Sequence, residues 1–338
     1  MSRTKQIDEF LGRAGWGGKP RVRIAGDASN RRYDRVQGAG TETAILMDAS
    51  IEQGEEVRPF IDIARYLAHC GLSSPQILAA DQDQGLLLLE DLGDDVFARI
   101  LEKRPGLETE LYAAAVDVLV HLHGNQPPDL PDLDAETGAE MSALVFDWYP
   151  PTDSVPANAR ADFLAMFTDL LRPLDLAPRV LIQRDYHAEN LIWLPERVGV
   201  ARVGLLDFQD AMRGHPAYDL VSILHDARRD VSQNTQTLMI EHFVRCSELD
   251  PTEFDYAYKC LSLQRNLRIL GVFARLSLVH GKPNYIDLIP RVWSHVTGML
   301  DEPGLEDLRA LLLDVLPTPS PEFLSTLKDR CGKHPLPS

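Results

Sequence analysis

Three residues of this chain have types and spacing that could do chemistry together: Asp185, Asn190 and Asp207. Asp185 and Asn190 lie in Gln183-Arg184-Asp185-Tyr186-His187-Ala188-Glu189-Asn190, and Asp207 follows one hairpin later in Leu205-Leu206-Asp207-Phe208. Phosphoryl transfer needs a carboxylate beside the incoming hydroxyl and oxygen ligands for a divalent cation, because positioning and charge neutralisation supply nearly all of the catalysis. Asp185 suits the first job as base, and Asn190 with Asp207 suits the second as ligands of one Mg²⁺.

The surrounding elements must hold those side chains still. Val180-Leu181-Ile182 reads as a short buried strand that delivers the chain to a polar loop, and Leu191-Ile192-Trp193 as a second strand that pins the loop's far end. After the turn at Leu194-Pro195-Glu196-Arg197, Val203-Gly204-Leu205-Leu206 returns and leaves Asp207 at a strand end, where it can meet a metal without burying its charge unpaired. A single loop Asp is commonly a capping or surface residue; the ordered set argues for a site. His187 reads as a hydrogen-bonded brace of the loop or as a substrate contact. No zinc-ligand spacing accompanies it, so no metal is assigned to it.

Upstream, Val22 to Ala25 and Arg32 to Val36 read as strands about a turn at Gly26-Asp27-Ala28-Ser29-Asn30. A tight loop of this kind can point backbone N–H groups at phosphate oxygens, although such hairpin turns also occur with no phosphate near. Thr43 to Asp48 is the next strand. Pro59 opens an amphipathic helix through Phe60, Ile63, Ala64 and Leu67 that ends at Gly71. Ile77 to Ala80, a turn, and the buried run Leu86 to Leu89 lead into Glu90-Asp91-Leu92-Gly93.

Beyond that point the pattern turns helical. Leu111, Ala114, Ala115, Val118, Leu119 and Leu122 lie on one face of a helix ending at Gly124, with His121 and His123 in its last turn. The segment from Asn125 to Asn158, rich in Pro and Asp, reads as a long connection whose Phe146, Trp148 and Tyr149 pack on themselves or wall a ligand. Helical periodicity resumes from Tyr218 to Asp230, Thr237 to Ser247, Glu253 to His280, Asp287 to Leu300, Leu305 to Leu316 and Glu322 to Cys331. Arg265, Arg268 and Arg275 fall on one side of the longest helix, where a solvated stripe is the default reading.

These motifs resemble the aminoglycoside phosphotransferase and choline kinase group of small-molecule kinases over most of the chain. The group's catalytic loop carries an Asp, a His two later and an Asn three after that, as Asp185, His187 and Asn190 do. Asp207 matches its metal-binding Asp. Gly214-His215-Pro216-Ala217-Tyr218-Asp219-Leu220 resembles its G-D-P-x-x-D-L segment, which implies that Asp219 braces the catalytic loop. Gly26, Ser29, Asn30 and Tyr33 match its phosphate loop, and the segment at Glu90 and Leu92 matches its hinge, whose backbone groups read the adenine edge.

One departure stands out. The third strand, where kinases carry a phosphate-gripping lysine, has none, and no lysine occurs between Lys19 and Lys103. If ATP binds, an arginine must supply the charge, and Arg31 and Arg32 are nearest. The resemblance implies an α+β, bilobal protein-kinase-like fold: a small N-terminal antiparallel sheet lobe with a helix, and a larger, mainly helical C-terminal lobe. The expected division is a nucleotide-binding lobe and hinge at 1–93, a catalytic and substrate-binding lobe at 94–331, and a flexible tail at 332–338.

Length and 44% apolar content suffice for two lobes. A net charge of −17 without a basic run disfavours nucleic acid or an anionic membrane as partner. The first residues lack the apolar core of a signal peptide, and no apolar run is long enough to span a bilayer. Cys70, Cys246, Cys260 and Cys331 have no framework spacing, so a reducing cytoplasm is the expected compartment.

A narrower resemblance rests on Gly26 to Tyr33, Leu89 to Asp94, Arg184 to Asn190, Asp226-Ala227-Arg228-Arg229-Asp230 and Gly271 to Leu276. These phrases look like the bacterial anomeric N-acetylmuramate and N-acetylglucosamine kinases. That subfamily uses ATP and Mg²⁺ to phosphorylate the C1 hydroxyl in cell-wall recycling and supplies the α-1-phosphate to a nucleotidyltransferase. The acceptor is then a small amino sugar, with His187, Glu189 and Arg265 as candidate contacts. An aminoglycoside, choline or homoserine-like acceptor is the enzymatic alternative, and an ATP-binding pseudokinase the non-enzymatic one.

Overall fold

In the computed structural model, residues 2–24, 31–51, 54–151 and 154–334 are described. The chain forms two compact units, Met1–Asn125 with Ala188–Ala211, and Gln126–His187 with Met212–Ser338. Compactness thus divides the chain after Asn125, whereas the boundary expected at residue 93 concerns which segment holds nucleotide.

The first unit is built on a five-stranded antiparallel sheet of order β1-β2-β3-β5-β4, with β1 Arg21–Ile24, β2 Arg32–Gln37, β3 Thr43–Asp48, β4 Ile77–Asp81 and β5 Leu86–Glu90. Alternation assigns the faces. Val36, Ala44, Leu46, Leu86 and Leu88 form one apolar cluster with Ile7, Phe10 and Leu11 of helix α1, Arg3–Arg13. Ile45 and Met47 therefore point to the other face, and Tyr33 pairs with Met47 across β2 and β3. Helix α2, Arg58–His69, buries Phe60, Ile61, Ile63, Ala64 and Leu67, with a proline in its first turn where a missing N–H costs nothing.

Helices α3, Phe97–Lys103, and α4, Glu108–His123, complete this unit with two short strands, β7 Leu191–Trp193 and β8 Val203–Leu205, paired as a hairpin. Leu92 packs against Ile192 and Leu194, and the Asp95 carbonyl accepts from Trp193 N–H at 2.8 Å. The His121 Nε2 lies 2.7 Å from the Cys70 carbonyl, which makes that helix-end histidine a structural bond.

The second unit is mainly helical. Its strands β6, Val180–Ile182, and β9, Met212–Gly214, pair antiparallel. Its longest helix, α9, Pro251–Leu278, starts at an Asp250 cap and is buried on nearly every side against helices α5, Ala135–Trp148, α7, Ala217–Leu224, and α10, Ile289–Leu300. Gly271 is required at the α9–α5 crossing: a Cβ there would lie 2.7 Å from the Leu144 carbonyl carbon. Helices α6, Ala159–Leu171, α8, Gln233–Cys246, α11, Glu306–Val315, and α12, Pro321–Asp329, complete the unit.

Four expectations need correction here. The supposed connection from Asn125 to Asn158 contains α5, capped by the Asp134 side chain on Thr137 N–H, and its Phe146 and the following Tyr149 are core residues. Tyr149 donates its hydroxyl to the Pro317 carbonyl at 2.8 Å, so it walls no ligand. The helix expected through Asp230 stops at Leu224, because the Asp226 side chain accepts from Arg228 N–H and forms a local turn. Arg265 is 4% exposed, so the arginines of α9 are not a solvated stripe. Gly332 and His334 N–H groups donate to the Ser277 and Leu278 carbonyls at 3.0 and 3.1 Å, which ties down the first part of the expected tail. Among the described residues, no helix is long and apolar enough to cross a membrane.

Candidate active site

In the first unit, the β7–β8 hairpin carries both proposed metal ligands at one end. Leu191 pairs with Leu205, and Leu206 N–H donates to the Asn190 carbonyl at 3.0 Å, so the ladder holds Asn190 opposite the residue before Asp207. Asp207 adopts φ 56°, a left-handed backbone that Asp tolerates better than most side chains, and its Oδ1 accepts from Gln209 Nε2 at 2.8 Å. An amide oxygen and a carboxylate suit a hard cation such as Mg²⁺, which completes its shell with waters and phosphate oxygens. Among the described residues, no group of three or more His, Cys, Asp or Glu side chains is arranged as a metal site.

The same unit brings an arginine to the face of β3 that bears Met47. Met47 occupies the inward face of β3, and Arg31 reaches the same face from beside Tyr33. Arg31 Nε donates to Glu55 Oε2 at 2.9 Å, and Arg31 also hydrogen-bonds the Tyr33 side chain. Desolvation pushes the Tyr33 phenol up to about 12 against the pull of Arg31, with Asp207 and Glu55 adding to the rise. Arg31, Tyr33, Glu55 and Asp207 therefore share one electrostatic neighbourhood. Arg32 differs: it is exposed, on the opposite side of β2, paired with Asp48. Gly26, Ser29 and Asn30 lie outside the described residues.

The segment Glu90 to Asp94 is fastened from both sides. Arg35 forks onto Asp91 and Asp94, with bonds from 2.6 to 3.0 Å. Arg197 Nη2 donates to Glu90 Oε1 at 2.6 Å. Glu90 N–H is taken by the Gln76 carbonyl at 2.8 Å. Leu92 is buried in the small cluster with Ile192 and Leu194.

In the second unit, Asp185 is half-buried on a loop whose backbone is held by Asp219. The fully buried Asp219 carboxylate accepts from Gln183 N–H at 2.6 Å and Arg184 N–H at 2.9 Å, and Ser222 Oγ donates to the Arg184 carbonyl at 3.2 Å. Those bonds stabilise Arg184 at φ 72°. Among the described residues only Arg184, Asp207 and Glu248 are non-glycines with positive φ, and two of the three flank the proposed chemistry. His215 Nδ1 accepts from Ala217 N–H at 3.1 Å and so caps α7, the helix that carries Asp219. Burial holds His215 down at about 4, so the acceptor nitrogen stays unprotonated.

His187 is buried, its Nε2 3.2 Å from Arg228 Nη1, and desolvation followed by Arg228 and Arg265 holds its pKa well below the usual range. A neutral imidazole accepting from a guanidinium is a brace. Glu189 is exposed, and Arg265 is buried in α9. Sequence reasoning gave no role to Glu55, Arg35, Asp94 or Tyr218; Asp94 and Tyr218 lay within phrases that carried the resemblance, Leu89 to Asp94 and Gly214 to Leu220, whereas Glu55 and Arg35 carried no signal.

The Asp219 brace leads to a stability prediction. Asp219→Ala should lower the unfolding free energy by about 2–4 kcal/mol in urea melts, since two buried N–H groups lose their acceptor. Burial pushes the Asp219 carboxyl from 3.8 up to about 7, against the pull of Gln183 and Arg184 N–H. Folding then takes up a proton, so this contribution is full below the unfolded value and is lost as pH rises through the folded one. The Tm of the unaltered protein relative to Asp219→Asn should fall between about pH 4 and 7; a difference that stays constant across that range rules the shift out.

Residues 21–250 match the phosphotransferase enzyme family, to which the chain belongs. It is 37% identical to the N-acetylmuramate/N-acetylglucosamine kinase of Caulobacter vibrioides, over 89% of this chain and 93% of that protein. The kinase of the same name from Pseudomonas aeruginosa is 31% identical, over 90% and 92% of the two chains. Among solved structures, a choline/ethanolamine kinase family protein from Mesorhizobium loti superposes with a TM-score of 0.61 at 16% identity, over 91% of this chain and 98% of that one. An ADP-bound aminoglycoside phosphotransferase superposes at 0.58 and 13% identity, over 88% and 99%. These likenesses show the protein-kinase-like fold.

Proposed function

We propose that this protein is an ATP- and Mg²⁺-dependent kinase that phosphorylates the C1 hydroxyl of N-acetylmuramate, N-acetylglucosamine or both, yielding the α-1-phosphate in peptidoglycan recycling. The observation that carries the reaction type is the Asp219 brace, which fixes the Arg184 turn immediately before Asp185. The acceptor class rests on the relatives of that name, matched over about nine-tenths of the chain.

In this reading Asp185 orients the C1 hydroxyl and takes its proton while the C1 oxygen bonds to the γ-phosphorus and the bond to the β-phosphate oxygen breaks, releasing ADP. An anomeric hydroxyl is more acidic than an ordinary alcohol and suits a carboxylate base. Mg²⁺, with Asn190 and Asp207 as its protein ligands, would neutralise phosphate charge. Arg31, oriented by Glu55, takes the place of the absent lysine. Gly26, Ser29, Asn30 and Tyr33 would cradle phosphates, with the Glu90 carbonyl and Leu92 amide at the adenine edge. The product would pass to a nucleotidyltransferase in the cytoplasm.

The absence of a lysine from β3 favours a second reading, an ATP-binding pseudokinase. One experiment separates the two: Mg-ATP incubated with a panel of amino sugars, aminoglycosides, choline and homoserine, and read by phosphorus NMR. An anomeric phosphate signal from an amino sugar is expected. Phosphate on another acceptor alone would reject the sugar reading, and nucleotide-induced stabilisation without any product would favour the pseudokinase.

A further inference from the structure

Arg265 is buried in the middle of α9, yet its one hydrogen bond among the described residues is a stretched 3.5 Å contact from Nη1 to the His225 carbonyl. No carboxylate of the described residues lies within 4.0 Å of it, although Asp185 and Asp226 are within electrostatic range. A guanidinium retained in that state is unfavourable unless an anion joins it. Within the same unit the Asp219 carboxylate is already engaged by two backbone N–H donors. The neighbouring imidazoles offer no counter-charge. His225 is hydrogen-bonded to Ser262 Oγ at 2.6 Å and stacked on His295, with ring centroids 4.5 Å apart.

A second unfilled donor lies beside Arg265. The Tyr218 hydroxyl is fully buried, has no hydrogen-bond partner among the described residues, and is in electrostatic range of the Arg265 guanidinium. Tyr218 immediately precedes Asp219, so the helix that braces the catalytic loop also carries this hydroxyl. A forked guanidinium with an adjacent O–H donor matches a carboxylate, which accepts two or more bonds in one plane.

We infer that Arg265 and Tyr218 form an acceptor subsite for a carboxylate, and that they make the protein prefer a sugar bearing an acidic ether side chain, as N-acetylmuramate does through its lactyl group, over the neutral N-acetylglucosamine. The inference rests on the sugar-kinase reading above and deepens it. Arg265 then acts as a specificity residue, distinct from the base Asp185.

The test compares kcat/KM for the two sugars in the unaltered protein and in Arg265→Met, Arg265→Lys and Tyr218→Phe. Losing a charged hydrogen-bond pair should lower the N-acetylmuramate to N-acetylglucosamine ratio ~10- to 100-fold in Arg265→Met. Arg265→Lys should recover part of the ratio, and Tyr218→Phe should lower it by a smaller factor. The methyl ester of N-acetylmuramate, given to the unaltered protein, should lose a comparable factor, which keeps the test decisive even where an Arg265 variant does not fold. An unchanged ratio, including equal losses on both sugars, or an ester as good as the acid overturns the subsite while leaving the kinase reading intact. An unaltered protein inert on both sugars overturns the reading and the subsite together.

Discussion

Replacing Asp185 with Asn should lower kcat by ~10³-fold, about 4 kcal/mol of transition-state stabilisation, in steady-state assays with an amino sugar and Mg-ATP. The amide keeps the shape of the side chain and can still hydrogen-bond the acceptor, but it cannot take the proton. The backbone under residue 185 should be unchanged, because the bonds that hold the loop run from Gln183 and Arg184 N–H to Asp219 and from Ser222 to the Arg184 carbonyl. Nucleotide affinity should therefore remain within a few-fold of normal, measured by calorimetric titration of a non-hydrolysable ATP analogue. A kcat within about tenfold of normal would remove Asp185 from the base role, since general-base contributions start near 10².

Replacing Asp207 with Asn should lower kcat/KM for Mg-ATP by ~10²- to 10³-fold, because one charged ligand of the proposed Mg²⁺ is lost where phosphate charge must be neutralised. Asn is the informative substitute. Residue 207 sits at φ 56°, a region that Asn occupies at least as readily as Asp, so the hairpin should keep its geometry and any loss reports on the charge. Raising free Mg²⁺ should restore part of the rate in the variant and little in the unaltered protein. An apparent Mg²⁺ requirement identical in both would show that Asp207 does not hold the ion. Asp207 also lies in the field of Tyr33 beside Arg31, so the same variant should weaken any coupling between metal and nucleotide binding.

Much of this architecture was legible because the signals were local. The five strands of the sheet, their order of appearance, and the loop from Gln183 to Asn190 between β6 and β7 follow from short apolar runs punctuated by turn residues. Asp219 was readable as a brace from the resemblance of the Gly214 to Leu220 phrase, and the two N–H groups it accepts from are those of Gln183 and Arg184, in the loop that carries Asp185. Helix α5 was hidden because prolines and aspartates crowd the residues before it; one of those aspartates, Asp134, is in fact its cap. The arginines of α9 misled for a related reason. A helix packed on nearly every side loses the polar face that periodicity reads as solvent, so Arg265 carries no sign of its burial in its spacing.

What the chain determines by covalent order is the set of reacting types: a carboxylate, an amide oxygen and a second carboxylate at distances along the backbone that two short hairpin strands preserve. The partners that orient them come from elsewhere. Glu55 reaches Arg31 across 24 residues, Asp91 reaches Arg35 across 56, and Ser222 reaches the Arg184 carbonyl across 38. Such pairs form because a charge or a bent backbone removed from water must be matched by whatever group the packing brings beside it. Sequence spacing reports neighbours along the chain, while the match of charge to charge is made only after helices and strands have packed, which is why Met47, Arg31 and Arg265 acquired their meaning from the tertiary structure.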